Sequence, residues 1–485
     1  MDITKHRFPV SSIVSLLFLI VPYFVVNAGF LVSDKIPPHD SATFHYPAFQ
    51  AIADSFKQDH AFLQWFWVSG GTRTGLSHVS CFHFIPHRIV GYLLYCILPV
   101  SMVFMYKLQL LLGMILTAAG WWLVLKRTFN SPLIAYFGAQ MILLGGTGIA
   151  LHEEQVISTM HLIPWLILAL QNMEHDSNQI LAVAAISGIS LSTHQPQIQL
   201  ITVGLILTGY VLYNSMWKKW KLIFTPGRTA ISLALIILGT LPALYLYQQT
   251  DILATALRLK GALSAQTFAD YALLNRQQMS SAFPFYLGQY VLPIFSSAGV
   301  SADRCAFFVG RIGIVMAVIG GACAFRRAWP ALLALVVFVL LTLGFNSPVP
   351  IPKILYTLHF PFINFFRQWI HFFPMMNLAL SVLACFGLEK ILQWTRNSIA
   401  GKTVLAVLLL LQVTELSLYC RRYLREFSTD APVVKMESQV FAKDNQGPAK
   451  LFAYKSRQIF ETAYPGIAFD EPILQRVTPD GKTVF

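Results

Sequence analysis

The sequence has few charged residues for its length. Lys, Arg, Asp and Glu make up 12% of the 485 residues, hydrophobic side chains make up 55%, and the mean hydropathy is +0.59. Soluble domains carry about 25% charged residues, so this scarcity argues against an ordinary soluble protein. Many apolar runs approach the roughly 20 residues that cross the hydrocarbon core of a bilayer. We therefore predict an all-α polytopic membrane protein.

The sequence also lacks the short motifs of several common function classes. It has no GxxxxGK[ST] loop and no GxGxxG after a predicted strand, so a cytoplasmic nucleotide site is not expected. The six cysteines form no CxxC pair and give no metal-site pattern. Cys81 and Cys305 fall in predicted external loops, where a disulfide is one interpretation and two independent thiols are the favoured one.

The basic excess, a formal net charge of +13, has two interpretations. One is binding to nucleic acid. The other, which suits a membrane protein better, is Lys and Arg retained in cytoplasmic loops, and we therefore predict no nucleic-acid partner. The first apolar run, Phe8 to Val32, follows Lys5 and Arg7 without a small-residue cleavage site, so we interpret it as a retained helix that starts in the cytoplasm.

The apolar runs and the basic clusters together predict the topology. If each short basic cluster lies in the cytoplasm, the chain crosses the membrane about eleven times, with its N-terminus inside and its C-terminus outside. The stretch 88–99 is then a helix at the outer interface, not a crossing. The predicted spans are 8–32, 103–125, 132–150, 156–171, 179–193, 197–216, 229–247, 307–325, 329–346, 371–393 and 402–420.

A functional site is expected on the predicted external face. This face has a first loop, 33–87, a long loop, 248–306, and a C-terminal region, 421–485, that is too short for a large core of its own. Ionisable residues gather there, at a membrane boundary where charge is costly unless it is paired or hydrated. The candidate residues are Asp40, His39, His45, Tyr46, Arg88, His152, Glu153, Glu154, His194, Gln195, Arg367 and His371.

An amphipathic helix is predicted directly after Asp40. In the stretch HYPAFQAIADSF, four apolar residues recur at helical spacing and a proline suits the first turn. Such a helix would lie on the membrane and hold the Asp40 carboxylate at the level of the lipid head groups. The residues that carry this pattern are Pro47, Phe49, Ile52, Ala53 and Phe56.

Five stretches occur in an order that resembles the YfhO-like bacterial membrane proteins and, more broadly, the GT-C superfamily of polytopic glycosyltransferases. They are HDSATFHYPAFQAIADSF, WFWVSGGTRTGLSHVSCFHFIPHRI, GGTGIALHEEQVISTMHLIPWLILAL, STHQPQIQL and FPFINFFRQWIHFFPMMNLALSVLACFGLEKIL. Overall size and plan are also similar to the phage-type O-antigen glucosyltransferases. The resemblance covers residues 1–395 and implies a GT-C-like transmembrane domain over 1–420. The region 421–485 departs from it, because YfhO-like proteins commonly have a larger external C-terminal part.

The resemblance implies an enzyme of the bacterial inner membrane that works on the external face. Its donor would be a hexose, such as glucose, on undecaprenyl phosphate, and its acceptor an external glycan such as lipopolysaccharide O-antigen or teichoic acid. A donor synthase and a flippase would supply the lipid-linked sugar. The acidic residue of the first external loop would be the general base of an inverting transfer, and Asp40 occupies that position. Proton removal by a positioned carboxylate contributes about 10²–10⁴-fold to the rate.

The phosphate of the lipid leaving group needs positive charge or a metal nearby. Four residues on the predicted external face are candidates, and arginine suits phosphate through its two-pronged guanidinium. His152 with Glu153 or Glu154 would suit Mg²⁺ or Mn²⁺, although adjacent Glu side chains point apart and helix capping is equally supported. The sequence itself requires no cofactor. The candidate phosphate contacts are Arg88, His194, Arg367 and His371.

The other candidates have structural interpretations as well. Asp40 would also suit a helix cap or a hydrated loop, and Asp34, its rival, more simply ends the first helix. His194 and Gln195 lie between two predicted spans, where a tight turn needs polar residues. Arg367 stands among aromatic residues, so a cation–π or snorkelling role is the alternative to phosphate binding.

Two other functions stay open at the level of the sequence. An O-antigen ligase or polymerase would use Arg258, Arg276 and Arg304 of the long loop and would not need Asp40. A lipid-linked sugar flippase or transporter would have ionisable residues at mid-bilayer depth and broken helices in two matching halves. The ionisable residues here lie mainly at predicted helix ends, and no internal repeat is evident, which favours the enzyme.

Overall fold

The computed structural model describes residues 10–37, 41, 45–46, 49–50, 53, 57, 65–68, 72–75, 86–153, 160–173, 175–191, 196–213, 223–248, 307–344, 347–349, 351–358, 369–396 and 398–431. Within these residues the fold is mostly helical. In chain order the helices are α1 (Val10–Val32), α2 (Pro86–Ile97), α3 (Met102–Phe129), α4 (Pro132–Leu144), α5 (Gly146–Glu153), α6 (Ile163–Met173), α7 (Gln179–Leu191), α8 (Pro196–Tyr213), α9 (Pro226–Gln248), α10 (Arg311–Cys323), α11 (Phe325–Leu343), α12 (Ile351–Thr357), α13 (Phe373–Trp394) and α14 (Ile399–Phe427), with a 3₁₀ turn at Trp369–Phe372.

The strands are short and form two antiparallel pairs. β1 (Lys35–Ile36) pairs with β4 (Thr429–Asp430), which joins the exit of α1 to the exit of α14. β2 (Trp65–Val68) and β3 (Thr72–Gly75) form a hairpin within the first loop. The all-α class predicted from the composition is therefore the observed class, with strands only as small additions.

Four helices in the described part of the chain are long and apolar enough to cross a membrane. They are Met102–Phe129, Phe325–Leu343, Phe373–Trp394 and Ile399–Glu426. Each of the eleven predicted spans coincides with helical structure, but several of these helices are shorter than a full crossing, so the number of crossings stays a prediction. The stretch 88–99, predicted as a helix at the outer interface, forms most of α2, whose 12 residues extend about 18 Å at 1.5 Å per residue, and its place at the interface stays a prediction.

Local sequence explains where several helices begin. Ser101, Ser131 and Ser398 are N-caps whose hydroxyl oxygens accept the backbone N–H of Phe104, Ile134 and Gly401. A serine at this position satisfies one of the backbone donors that the first turn leaves without an intrahelical partner. One predicted span differs from expectation, because the run 132–150 is divided at Gly145 into α4 and α5.

The helices form a bundle with two distinct ends. At the end that carries β1, the Lys107 ammonium near the start of α3 donates to the carbonyl of Phe30 near the end of α1 (2.8 Å). At the other end, α3 and α6 finish together, since the Arg127 guanidinium donates to Asn172. We call these the β1 end and the basic end. Basic residues described at the basic end are Lys126, Arg127, Arg228, Arg326, Arg327, Lys390, Arg396 and Lys402.

Small residues allow the closest helix contacts in the bundle. A Cβ on Gly320 of α10 would lie 2.0 Å from the carbonyl oxygen of Leu383 in α13, and one on Gly387 would lie 2.1 Å from that of Met316. The two backbones therefore touch, and α10 runs alongside α13. Glycine permits such an approach because it has no side chain, a common basis of helix association in membranes.

Candidate functional site

The first loop packs an aromatic face against α2 and α3. Phe49 stacks on Tyr92 of α2, with ring centroids 4.9 Å apart and planes at 27°. Tyr46 meets Tyr106 of α3 edge to face, with centroids 5.3 Å apart. All four are buried, and we call them the aromatic cluster. The predicted amphipathic helix is therefore helical where it is described, and its apolar face is buried against two helices. Ile52, Phe56 and Pro47 lie outside the described residues.

Buried polar side chains adjoin the aromatic cluster. Arg88 is 0% exposed and lies one turn before Tyr92 on α2. His45, which precedes Tyr46, is also buried, as is Gln109, one turn after Tyr106 on α3. Buried polar groups are normally paired or hydrogen-bonded, so a buried guanidinium marks a polar site within this apolar bundle.

Gly91 explains how α2 comes so close to α3. A Cβ at Gly91 would lie 2.9 Å from Cβ of Gln109 and 3.3 Å from the ring of Phe49. The missing side chain lets the face of α2 that carries Arg88 lie directly on α3 and the first loop. The sequence predicted α2 as an interfacial helix and Arg88 as a phosphate contact, but it did not indicate that Arg88 is buried.

The segment that contains Asp40 is anchored on both sides. Asp40 and His39 themselves lie outside the described residues. Before them, Ile36 is buried and paired with Thr429 in the β1–β4 ladder. After them, Ser41 is buried. The chain is thus held in place at Ile36, four residues before Asp40, and at Ser41, the residue after it.

Asp34, the rival of Asp40, lies in the turn that follows α1, as the sequence predicted. Its carbonyl oxygen accepts the backbone N–H of Ala431 (3.4 Å), which extends the contact between the first loop and the exit of α14. Next to it, Lys107 donates to the carbonyls of Phe30 and Ser33 and holds the end of α1. This lysine thereby stabilises the helix end from which the Asp40 segment starts.

The acidic stretch that begins at His152 lies at the end of α5. His152 and Glu153 are the last two residues of α5, and Glu154 lies outside the described residues. A Cβ at Gly138 of α4 would meet the Leu125 side chain of α3 at 2.6 Å, which fixes the register of these antiparallel helices.

The remaining candidates lie in other parts of the chain. His371 belongs to the 3₁₀ turn Trp369–Phe372, directly before α13. His194, Gln195 and Arg367 lie outside the described residues, as do Cys81, Cys305 and the arginines of the long loop, Arg258, Arg276 and Arg304. Within the described residues, no group of three His, Cys, Asp or Glu residues is placed to hold a metal ion.

The structure also shows a polar pair that the sequence did not single out. The Thr117 hydroxyl of α3 donates to the Gly113 carbonyl (2.9 Å), and its oxygen lies 2.5 Å from Nδ1 of His161. Both residues are buried, and His161 lies two residues before α6. The sequence shows His161 as a histidine within an apolar stretch, but it does not indicate which residue this histidine contacts.

Comparisons with known proteins do not add a family. No family model matches the chain, and no curated protein matches it. The resemblance to GT-C glycosyltransferases therefore stays a prediction from the motifs.

Proposed function

We propose that this chain is an integral membrane glycosyltransferase of GT-C type in the bacterial inner membrane, with the β1 end of the bundle external. It transfers a hexose, such as glucose, from a polyprenyl phosphate to an external glycan such as O-antigen. The site is the region between the first loop, α2 and α3, and we assign His152 and Glu153 at the end of α5 to it. Of the four residues of the aromatic cluster, two come from the loop and two from the helices.

The observation that carries the proposal is the burial of Arg88 beside the aromatic cluster. The guanidinium of Arg88 is fully buried, and the first loop and α3 also contribute buried polar side chains, His45 and Gln109. The guanidinium suits a ligand that brings a phosphate to this level, because arginine binds phosphate through two parallel hydrogen bonds. The aromatic residues around it suit the first isoprene units of a lipid carrier.

Asp40 is the general base in this mechanism. Its carboxylate takes the proton of an acceptor hydroxyl while that oxygen forms a bond to the anomeric carbon of the donor. The bond from the anomeric carbon to the phosphate oxygen breaks, and its electron pair leaves with the lipid phosphate, whose charge Arg88 stabilises. The configuration at the anomeric carbon is inverted.

The test is Asp40→Asn, expressed at the wild-type level in cells that otherwise lack the protein. We expect surface glycan to lose the added hexose, with accumulation of lipid-linked hexose. Asp34→Asn is the matched control, because it makes the same change six residues away, and its glycan should match the wild type. A normal glycan from Asp40→Asn would reject Asp40 as the base and turn attention to the arginines of the long loop.

Two observations favour a lipid-linked sugar flippase as the second candidate. The division of one predicted span at Gly145 and the buried His161–Thr117 pair are the kind of features that transporters show. Purified protein in nanodiscs with donor and acceptor separates the two functions. A glycosyltransferase forms the hexosylated acceptor there, whereas a flippase forms none.

A further inference from the structure

The start of α10 is held by two side chains of another helix. Gln412 Oε1 accepts the backbone N–H of Gly313 (3.0 Å), and its Nε2 donates to the carbonyl of Val309 (2.7 Å). Glu415, one turn further along α14, accepts the backbone N–H of Arg311 (2.9 Å) and pairs with the Arg311 guanidinium at 3.1 Å. The first N–H groups of a helix have no intrahelical acceptor and are usually capped by a residue that lies close in sequence. Here two of these N–H groups are capped by side chains of a different helix, α14.

Gly310 shows that the arrangement is tightly built. Its φ is +83°, a conformation that favours glycine, and a Cβ there would lie 2.2 Å from Nε2 of Gln412. Gln412 is itself fully buried, so both polar ends of its side chain are satisfied inside the bundle. We call residues 307–313 with Gln412 and Glu415 the α10 junction.

The α10 junction contacts the helix that carries His152 and Glu153 and the start of the helix that follows His371. Its first residue follows the long loop 248–306 directly. The Phe308 carbonyl accepts the N–H of Gly146 (2.6 Å), the first residue of the helix that ends in His152–Glu153. The Phe307 ring lies 5.0 Å from that of Phe373, which follows the 3₁₀ turn containing His371.

We infer that Gln412 and Glu415 are positioning residues of the proposed site: through the α10 junction they set the placement of α5. The inference rests on the proposed function for its effect on catalysis, but its structural part does not. Loss of the two caps frees the first turn of α10, and this in turn releases the Phe308 carbonyl that holds Gly146.

The test is the double variant Gln412→Leu with Glu415→Leu in nanodiscs. Backbone hydrogen exchange reports opening of each segment, and hexose transfer reports the site. In the double variant we expect backbone exchange to become at least tenfold faster both at 146–153 and at 307–313. We expect the rate of hexose transfer to fall at least tenfold. Glu415→Gln keeps an acceptor for the Arg311 N–H, so it should stay within about threefold of the wild type in both measurements.

The matched control is Glu426→Leu, which breaks the ion pair to Arg422 (2.8 Å) on the same helix without touching the α10 junction. It should change neither measurement by more than about twofold. Exchange at Gln179–Leu191, which lies away from the junction, should be unchanged in every variant. If the double variant exchanges faster there too, it has lost its fold, and Gln412→Asn replaces it with the same criteria.

The two possible failures are distinguishable. Unchanged exchange at 146–153, with faster exchange confined to 307–313, overturns the positioning inference whatever the transfer rate is. A wild-type protein that transfers no hexose overturns the proposed function, while the exchange results still decide whether the junction positions α5.

Discussion

Lys35 lies opposite Asp430 in the antiparallel ladder that joins β1 to β4. Because these strands directly follow α1 and α14, the two helices end side by side and run in the same direction. The side chains of Asn27 and Cys420, 3.6 Å apart, show that they also contact each other before their ends. If both helices cross the membrane, the number of crossings from the first to the last is odd, which agrees with the eleven predicted from the basic clusters.

This relationship predicts the outcome of a labelling experiment. Lys35→Cys and Thr429→Cys should be labelled from the same side by a membrane-impermeant maleimide added to intact spheroplasts. Asp176→Cys, in the turn after α6 at the basic end, should be labelled only after permeabilisation. The protein without an added cysteine gives the background from its exposed native thiols, Cys96 and Cys323. Opposite labelling of positions 35 and 429 would contradict the topology.

Helix positions followed from the sequence because apolar runs and basic ends are local signals. The division of the run 132–150 at Gly145 did not, because the partner that accepts the Gly146 N–H is Phe308, far along the chain. For the same reason the His161–Thr117 pair could not be predicted, as its two residues lie 44 positions apart.

The candidate site was predictable only in part. The first loop and α2 were expected at the membrane boundary. In the structure the first loop packs on α3 through Tyr46 and on α2, the helix that carries Arg88, through Phe49. Arg88 is buried on the face of α2 where Phe49 of the first loop and Gln109 of α3 come close to Gly91. Such contacts are tertiary, and no spacing within α2 indicates them.

Arg88→Lys should raise the KM for the lipid-linked donor about tenfold or more. Lysine keeps the charge but loses the two-pronged hydrogen bonding, and a charge-assisted hydrogen bond contributes about 1.5–3 kcal/mol. The measurement is donor titration in nanodiscs. Val90→Ala, on the exposed side of the same helix, is the matched control and should leave the KM within about twofold. A loss of thermal stability in Arg88→Lys with an unchanged KM would show a purely structural role.

Gly387→Ala should destabilise the protein by about 1–3 kcal/mol. The new methyl group would lie 2.1 Å from the Met316 carbonyl oxygen, so α10 and α13 must separate. The matched control is Gly204→Ala in α8, where a Cβ meets nothing within 4 Å and a helix-favouring residue should be neutral or slightly stabilising. Thermal unfolding in detergent measures both. Equal unfolding temperatures for the two variants would mean that the α10–α13 contact is looser than described.

Thr117→Val tests whether the buried pair with His161 contributes to stability. Valine keeps the shape of threonine and its branched Cβ, so packing in α3 is preserved while the hydroxyl is lost. His161 Nδ1 then faces a methyl group inside the bundle, and a buried polar atom left without this partner costs about 1–3 kcal/mol. Thr414→Val is the matched control, because its hydroxyl is exposed and bonds only the Leu410 carbonyl of its own helix.

Thr117→Val should have a lower unfolding temperature than the wild type. Thr414→Val should unfold at nearly the wild-type temperature. The double variant Thr117→Val with His161→Leu should recover part of the loss, since replacing both partners by apolar groups removes the unsatisfied nitrogen. Recovery would assign the pair to the stability of the bundle. If the single variant is as stable as the wild type but loses transfer activity, the pair contributes to function instead, and its buried position between α3 and α6 would extend the site from the β1 end into the bundle.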